Sequence, residues 1–414
     1  MSYLSQFLID TFGRDRQERN LKYFPQTERL QPYIIKNADF SRPLFIADQK
    51  IISDRHEQLS LAVKHYWGEK YSIAYSYKTN YSLSRHPIEK KLNLWSEVVS
   101  GREYQMAKKA KKDSSTIIFN GPYKTRRELS RALKEGAIVH LDNEDDLDNV
   151  NRILENSRKK LPSAIGLRFS LILPGLGESR FGFPVDSKNT LRVLTTITSH
   201  PRMTLNSVQI HIGTDVDNVS YYKIATNILN KYILQLPKVI TKDLEYIDIG
   251  GGFPSHGLRP YHKLRWRPQP IDEYIKVIAA ELTPLKRSLK TLTLIIEPGR
   301  YLIDDATCLV AKVISASQKD GQQTLVTNAT INMLPLCRYR QQMITVHNER
   351  LVRRTKYPGS SIIYGATCQE DDVLYKGNFP KAKTDDYLIF YCVGAYNHSL
   401  GSDFIFLRPE FKII

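Results

Sequence analysis

Cysteine, acidic residues and long apolar runs are all in short supply in this chain. Four cysteines occur in 414 residues, Cys308, Cys337, Cys368 and Cys392, each standing alone. Without a CxxC pair or a dense cysteine framework, neither a zinc ribbon nor a disulfide-stapled scaffold is expected, and no metal site is visible. No stretch reaches the roughly 18–20 apolar residues that a membrane span needs. The opening MSYLSQFLIDTFGRDRQERN meets charges before a secretory apolar core can form, so a cytoplasmic protein with no membrane partner is expected. Asp and Glu total 43 against 60 Lys and Arg, a formal net charge of +17, with basic clusters at Lys108, Lys109, Lys111 and Lys112 and at Lys263, Arg265 and Arg267. No nucleic-acid reading element accompanies them, so no nucleic-acid partner is expected. The excess charge suits an anionic substrate or an acidic partner protein.

What is present is a regular alternation. Short apolar runs such as YSIAYSY, TIIFNG, AIVHLDN, LNSVQIHIGT and TLTLIIEPGR are separated by helix-length segments, about eight times between residues 43 and 297. That pattern predicts parallel strands joined by crossover helices, and its length fits an eightfold β/α barrel of the TIM type, about 250 residues. After Arg300 the texture turns to short β-branched and aromatic runs, such as TLVTNATI, MITVHN and YLIFYCVGAY. The expected organisation is an α/β chain: a barrel over 43–297 and a mostly-β domain built from 1–42 and 298–414.

In such a barrel the chemistry sits at the carboxyl ends of the strands. Those ends carry Lys78, Glu97, Asn120, Asp142, Arg168, His211, Gly250 to Gly252, and Glu297 with Gly299 and Arg300. Singly, each has a structural explanation: a surface lysine, a core histidine, a turn of glycines. Together they meet one set of needs. A lysine leaving an apolar strand can condense with an aldehyde, consecutive glycines let backbone N–H groups approach a phosphate, and a buried glutamate can hold a pyridine nitrogen protonated. A histidine ring can lie flat on an aromatic cofactor. These are the needs of pyridoxal 5'-phosphate.

The segments AYSYKTN, SEVVSGREY, FNGPYKTRREL, SRFGF, VQIHIGT, IDIGGGFP, EPGRY, GATCQEDDVL and VGAYNHS, in that order, resemble the fold-type III pyridoxal-phosphate decarboxylases. This is the alanine-racemase-like family of ornithine, arginine and diaminopimelate decarboxylases, and the resemblance runs from about residue 43 to residue 409. It implies that Lys78 binds the cofactor's aldehyde, His211 stacks on its ring, and Glu297 pairs with the pyridinium nitrogen. Gly251, Gly252, Gly299, Arg300, Thr214 and Tyr396 match phosphate-holding positions, with Thr214 where the family usually has serine. Arg168, Glu97 and Glu103 match polar supports of the ring and the lysine. Cys368 matches a cysteine that the partner subunit lends to protonate the α-carbon, and Asp372 the acid four residues later. A homodimer with active sites at the interface follows from the resemblance.

The chain departs from its diamine-forming members in one respect. Gln369 and Asn328 stand where carboxylates would receive a distal ammonium, and Arg338 and Arg340 are out of register for a distal carboxylate. A cationic head without a counter-charge is costly in a closed site. The expectation is therefore decarboxylation of an amino acid whose distal end is blocked or conjugated, as in siderophore or antibiotic biosynthesis, with an acyl carrier protein as an added partner. The alternatives are a decarboxylase of free ornithine, lysine or diaminopimelate, an amino-acid racemase, and a catalytically inactive regulatory homologue.

Overall fold

The computed structural model describes residues 21–36, 41–156, 163–177, 179–257, 259–260, 268–357 and 359–414. The chain divides into two compact units: His56–Pro254 with Pro268–Gly299, and Met1–Arg55 with Ser255–Arg267 and Arg300–Ile414.

The first of these holds eight parallel strands: β1 Tyr71–Ser76, β2 Trp95–Val98, β3 Ile117–Phe119, β4 Ile138–Leu141, β5 Ser163–Ser170, β6 Met203–Ile210, β7 Tyr246–Asp248 and β8 Thr293–Ile296. Each pairs with its neighbours, β8 closes on β1, and β4 pairs with β5, so the sheet is a barrel without an edge. Strands such as IIF and IVHL are buried along their lengths, and TLII in all but its first residue, as expected of parallel strands covered on both faces. Ala74, Ile118, Ile138 and Ile295 form a cluster of this core. The crossover helices start close behind the strand ends because their first turns are capped. Thr125 and Glu128 form a reciprocal capping box ahead of Arg126–Glu135, and Ser100, Asn143, Ser187 and Asn218 accept N–H groups at the starts of four others.

The second unit is built on a sheet ordered Met343–His347, Tyr387–Tyr391, Thr307–Lys319, Gln322–Thr327, Ser360–Tyr364 and Val373–Asn378. Phe45, Leu309, Val346, Ile363 and Phe390 lie in its core. Phe24, Leu30 and Ile34 pack with Ile46, Val310 and Ile389 in a second cluster. The eightfold barrel with a mostly-β domain expected from the sequence is thus present, but its first strand is not the one expected. Leu44–Ala47 pairs antiparallel with the strand starting at Thr307 and parallel with Glu410–Ile413. A four-residue apolar run buried on both faces reads the same in either sheet, so only long-range pairing decides its home. Ser255–Arg267 also leaves the barrel unit. The basic trio Lys263, Arg265 and Arg267, and residues 1–20 and 37–40, lie outside the described residues. Among the described residues, no helix is long and apolar enough to cross a membrane.

Inside the barrel unit, Lys124 is fully buried, with Nζ 2.7 Å from Asp146 and 2.5 Å from the carbonyl oxygen of Gly121. Lys124→Ala strands the Asp146 charge and should cost about 3–5 kcal/mol, and adding Asp146→Ala should recover part of that loss. Urea unfolding of the single and double variants checks both.

Candidate active site

Lys78 lies in a short 3₁₀ turn, Tyr77–Thr79, at the carboxyl end of β1. Its ammonium pairs with the Glu97 carboxylate, which ends β2 and is 1% exposed, while the lysine side chain itself is about one-third exposed. Burial would raise the Glu97 pKa, but the Lys78 charge and hydrogen bonds from Lys78, Ser76 and Asn120 take it below the ordinary value. Glu297, just past β8, is buried and is reached by Asn120 Nδ2 at 2.7 Å and by Gln209 Nε2 at 3.2 Å. Burial and the nearby Glu97 raise its pKa, with Lys78 opposing. Asp248, at the end of β7, is raised well above the ordinary range by burial and by Glu297, although its Oδ1 accepts the Gly250 N–H at 2.8 Å.

His211 follows β6. Its Nδ1 accepts the Gly251 N–H at 3.2 Å, so the proton of the neutral ring sits on Nε2. Desolvation, then Arg168 and Lys78, push its pKa down to about 3, so the ring stays neutral at physiological pH. The three glycines after β7 are needed sterically. A Cβ at Gly251 would lie 2.1 Å from the Glu297 carbonyl oxygen, and one at Gly252, where φ is +98°, would lie 2.4 Å from that of Gly213. Gly299 is similar, since its Cβ would meet Thr79 Oγ1 at 2.2 Å. A cavity of about 360 Å³ is lined by Arg168, Leu173, Phe181, His211, Gly213 and Thr214 among others. Arg168 Nη1 lies 3.3 Å from Asp142, with its guanidinium 4.9 Å from the Phe181 ring centre. Glu103 faces its own loop, accepting from Tyr81 Oη at 3.1 Å and the Val99 N–H at 2.8 Å.

The remaining candidates lie in the second unit. Arg300 is 2.9 Å from Asp304 and stacks 5.1 Å from the ring centre of Tyr396, which has a left-handed φ of +66°. Cys368 is the exposed thiol of the four; the other three are buried, with pKa values raised by desolvation. Asp372, which matches the family's acid and is the third candidate for the substrate side with Asn328 and Gln369, is turned to Ile331 and Thr367. Its carboxylate accepts the Ile331 N–H at 2.7 Å, the Thr367 N–H at 2.9 Å and the Thr367 hydroxyl at 2.6 Å, which fixes the turn that presents Cys368. Asn328 is likewise turned to backbone, its Oδ1 accepting the Lys312 N–H at 2.8 Å. Gln369 Oε1 accepts from Asn332 at 3.2 Å, and Arg338 is a half-exposed partner of Asp371.

Residues 50–304 match the family model described as pyridoxal-dependent decarboxylase, pyridoxal binding domain. The chain belongs to the pyridoxal-dependent decarboxylases. This decarboxylase is 25% identical over 381 residues to the diaminopimelate decarboxylase of Methanocaldococcus jannaschii, covering 88% of this chain and 84% of the relative. It is 27% identical over 379 residues to that of Campylobacter jejuni, covering 88% and 89%. Among solved structures, the M. jannaschii diaminopimelate decarboxylase in complex with L-lysine superposes with a TM-score of 0.80 at 23% identity, covering 92% and 89% of the two chains. The lysine/ornithine decarboxylase of Vibrio vulnificus complexed with cadaverine does so at 0.75 and 19%, covering 94% and 99%. Pyridoxal phosphate is the family's cofactor, and the barrel end fits it: a part-exposed lysine, a neutral imidazole, a buried carboxylate and a glycine run too tight for any Cβ.

Sequence reasoning passed over His140, Ser207, Gln209 and Asp248, all on barrel strands and all buried. Their signal was a polar residue inside an otherwise apolar strand, as in IVHL and YID. Because Glu297 keeps its proton to higher pH in the folded decarboxylase than in the unfolded chain, stability falls as pH rises past the ordinary glutamate range. Glu297→Gln should therefore be more stable than the parent at about pH 8, with the difference closing by about pH 4. Urea midpoints across pH measure it, and equal stability at both ends would refute the assignment.

Proposed function

We propose that this decarboxylase removes the α-carboxylate of a free diamino acid, with diaminopimelate the first candidate and lysine and ornithine next. The observation that carries this choice is the match, over most of both chains, to relatives that are diaminopimelate decarboxylases. They favour the free diamino acid over the conjugated substrate that the neutral Gln369 and Asn328 first point to, and they support a carboxy-lyase rather than a racemase. Pyridoxal phosphate supplies the electron sink that makes loss of carbon dioxide from an amino acid accessible.

The chain's own residues divide the remaining work. Lys78 would hold the cofactor's aldehyde carbon, with Glu97, ionised beside it, orienting the ammonium. Glu297 would serve the ring nitrogen and His211 the ring face. Gly251, Gly252, Gly299, Thr214, Arg300 and Tyr396 would hold the phosphate, and Arg168 would steady the ring. Cys368, exposed on the turn that Asp372 fixes, would supply a proton to the α-carbon in the second copy of a homodimer.

A second reading keeps the conjugated substrate. Its support is that Gln369 and Asn328 present neutral amides and that Asp372 is occupied by its own loop, leaving those positions without a charge for a distal ammonium. An acidic conjugate, or one carried on an acyl carrier protein, suits the net charge of +17.

Carbon dioxide release from diaminopimelate, lysine, ornithine and their amide conjugates separates the two. Turnover of a free diamino acid carries the first reading, and turnover of conjugates alone carries the second. Borohydride should trap the cofactor on Lys78 in the parent and not in Lys78→Ala, and Lys78→Ala mixed with Cys368→Ala, which alone should slow or misdirect protonation, should regain formation of the product amine. Failure of the mixture to regain activity would place Cys368 outside the partner's site.

A further inference from the structure

A row of residues across three adjacent barrel strands lies beneath the two carboxylates. His140 on β4 is registered with Gly166 on β5, and Gly166 with Ser207 on β6. Gly166 has no side chain, and the His140 ring fills the gap: a Cβ there would lie 2.2 Å from the imidazole Cδ2. The ring therefore spans to Ser207, with Nε2 2.6 Å from the hydroxyl, while Nδ1 lies 2.7 Å from Asn120 Oδ1. Asn120 Nδ2 lies 2.7 Å from Glu297 Oε1 and 3.2 Å from Glu97 Oε1. All five side chains belong to buried residues, none more than 3% exposed.

Chemistry sets the direction of every bond in this chain. Glu97, held ionised, accepts and does not donate, so the Asn120 NH₂ must face it, with Glu297 as the second acceptor, and Asn120 Oδ1 must face His140. Nδ1 therefore bears the imidazole proton, and Nε2 accepts from the Ser207 hydroxyl. A second proton on the ring would leave Nε2 with nothing to donate to except a reversed Ser207. Burial, with the Lys124 and Arg168 charges, holds the ring neutral by lowering its pKa to about 3.

We infer that His140 is a positioning residue that, through Asn120, fixes where the Glu97 and Glu297 carboxylates stand. Asn120 sets its tautomer, Ser207 donates to the ring nitrogen left unprotonated, and Gly166 makes its room. Each dipole in the row points its positive end toward the carboxylates, and the bridging amide ties the partner of Lys78 to the carboxylate at the end of β8. The inference rests on the reading above that these two carboxylates face the cofactor.

The test uses the full chain with pyridoxal phosphate bound. Nitrogen-15 spectra of the imidazoles should show His140 neutral, protonated on Nδ1, and silent between about pH 5 and pH 9. His140→Gln keeps one donor and one acceptor, whereas His140→Leu keeps volume alone. The glutamine variant should retain the parent's cofactor affinity and visible spectrum. The leucine variant should bind the cofactor about 10- to 100-fold more weakly, with the pH midpoint of its visible band displaced and kcat lowered more than KM is raised. Leucine and glutamine variants that behave alike, or a His140 ring protonated on both nitrogens at neutral pH, would overturn the inference. The nitrogen-15 measurement needs no variant, so it decides the matter even if the leucine variant does not fold. Absence of a borohydride-trappable band in the parent would instead count against the proposed function, and the imidazole tautomer would still report on the row.

Discussion

Three carboxylates, Glu97, Asp248 and Glu297, are buried at one end of the barrel, and the Lys78 ammonium pairs directly with the first of them. Desolvating that much negative charge is costly, and the cost is met by fixed N–H donors and by protons. Glu97, nearest the ammonium, is held ionised, while Glu297 and Asp248 are pushed toward their neutral forms. The glycine run, the bridging Asn120 and the closed strand register all serve to keep these groups at a spacing where such sharing persists. A barrel suits the task because its strands cannot slip without shifting every inward side chain at once.

Much of this end of the barrel was legible in the sequence. Lys78, Glu97, His211 and Glu297 stand at the ends of four of the eight apolar runs, and the positions of strand ends follow from alternation alone. The glycines at 250–252 were legible for the same reason: no other residue type permits backbone atoms to approach so closely. What was not legible depended on partners distant in sequence. His140 reads as one polar residue in a strand until Gly166 and Ser207 are seen beside it. Asp372 reads as a site acid until the Ile331 N–H and Thr367 are found to occupy it.

The exposed Cys368 shows how the second unit does its work with few groups. A buried aspartate holds a short turn by three hydrogen bonds, and the turn lifts a thiol into solvent. The other three thiols, enclosed in apolar surroundings, are disfavoured as thiolates and so differ from it in reactivity by environment alone.

The strand Leu44–Ala47 has one neighbour beginning at Thr307 and another at Glu410–Ile413. Both neighbours lie far from it in the sequence. Every strand of the barrel, by contrast, lies between Tyr71 and Ile296. The pairing of Leu44–Ala47 closes a loop of more than 350 residues to Glu410–Ile413, a contact of far longer range than any between neighbouring barrel strands.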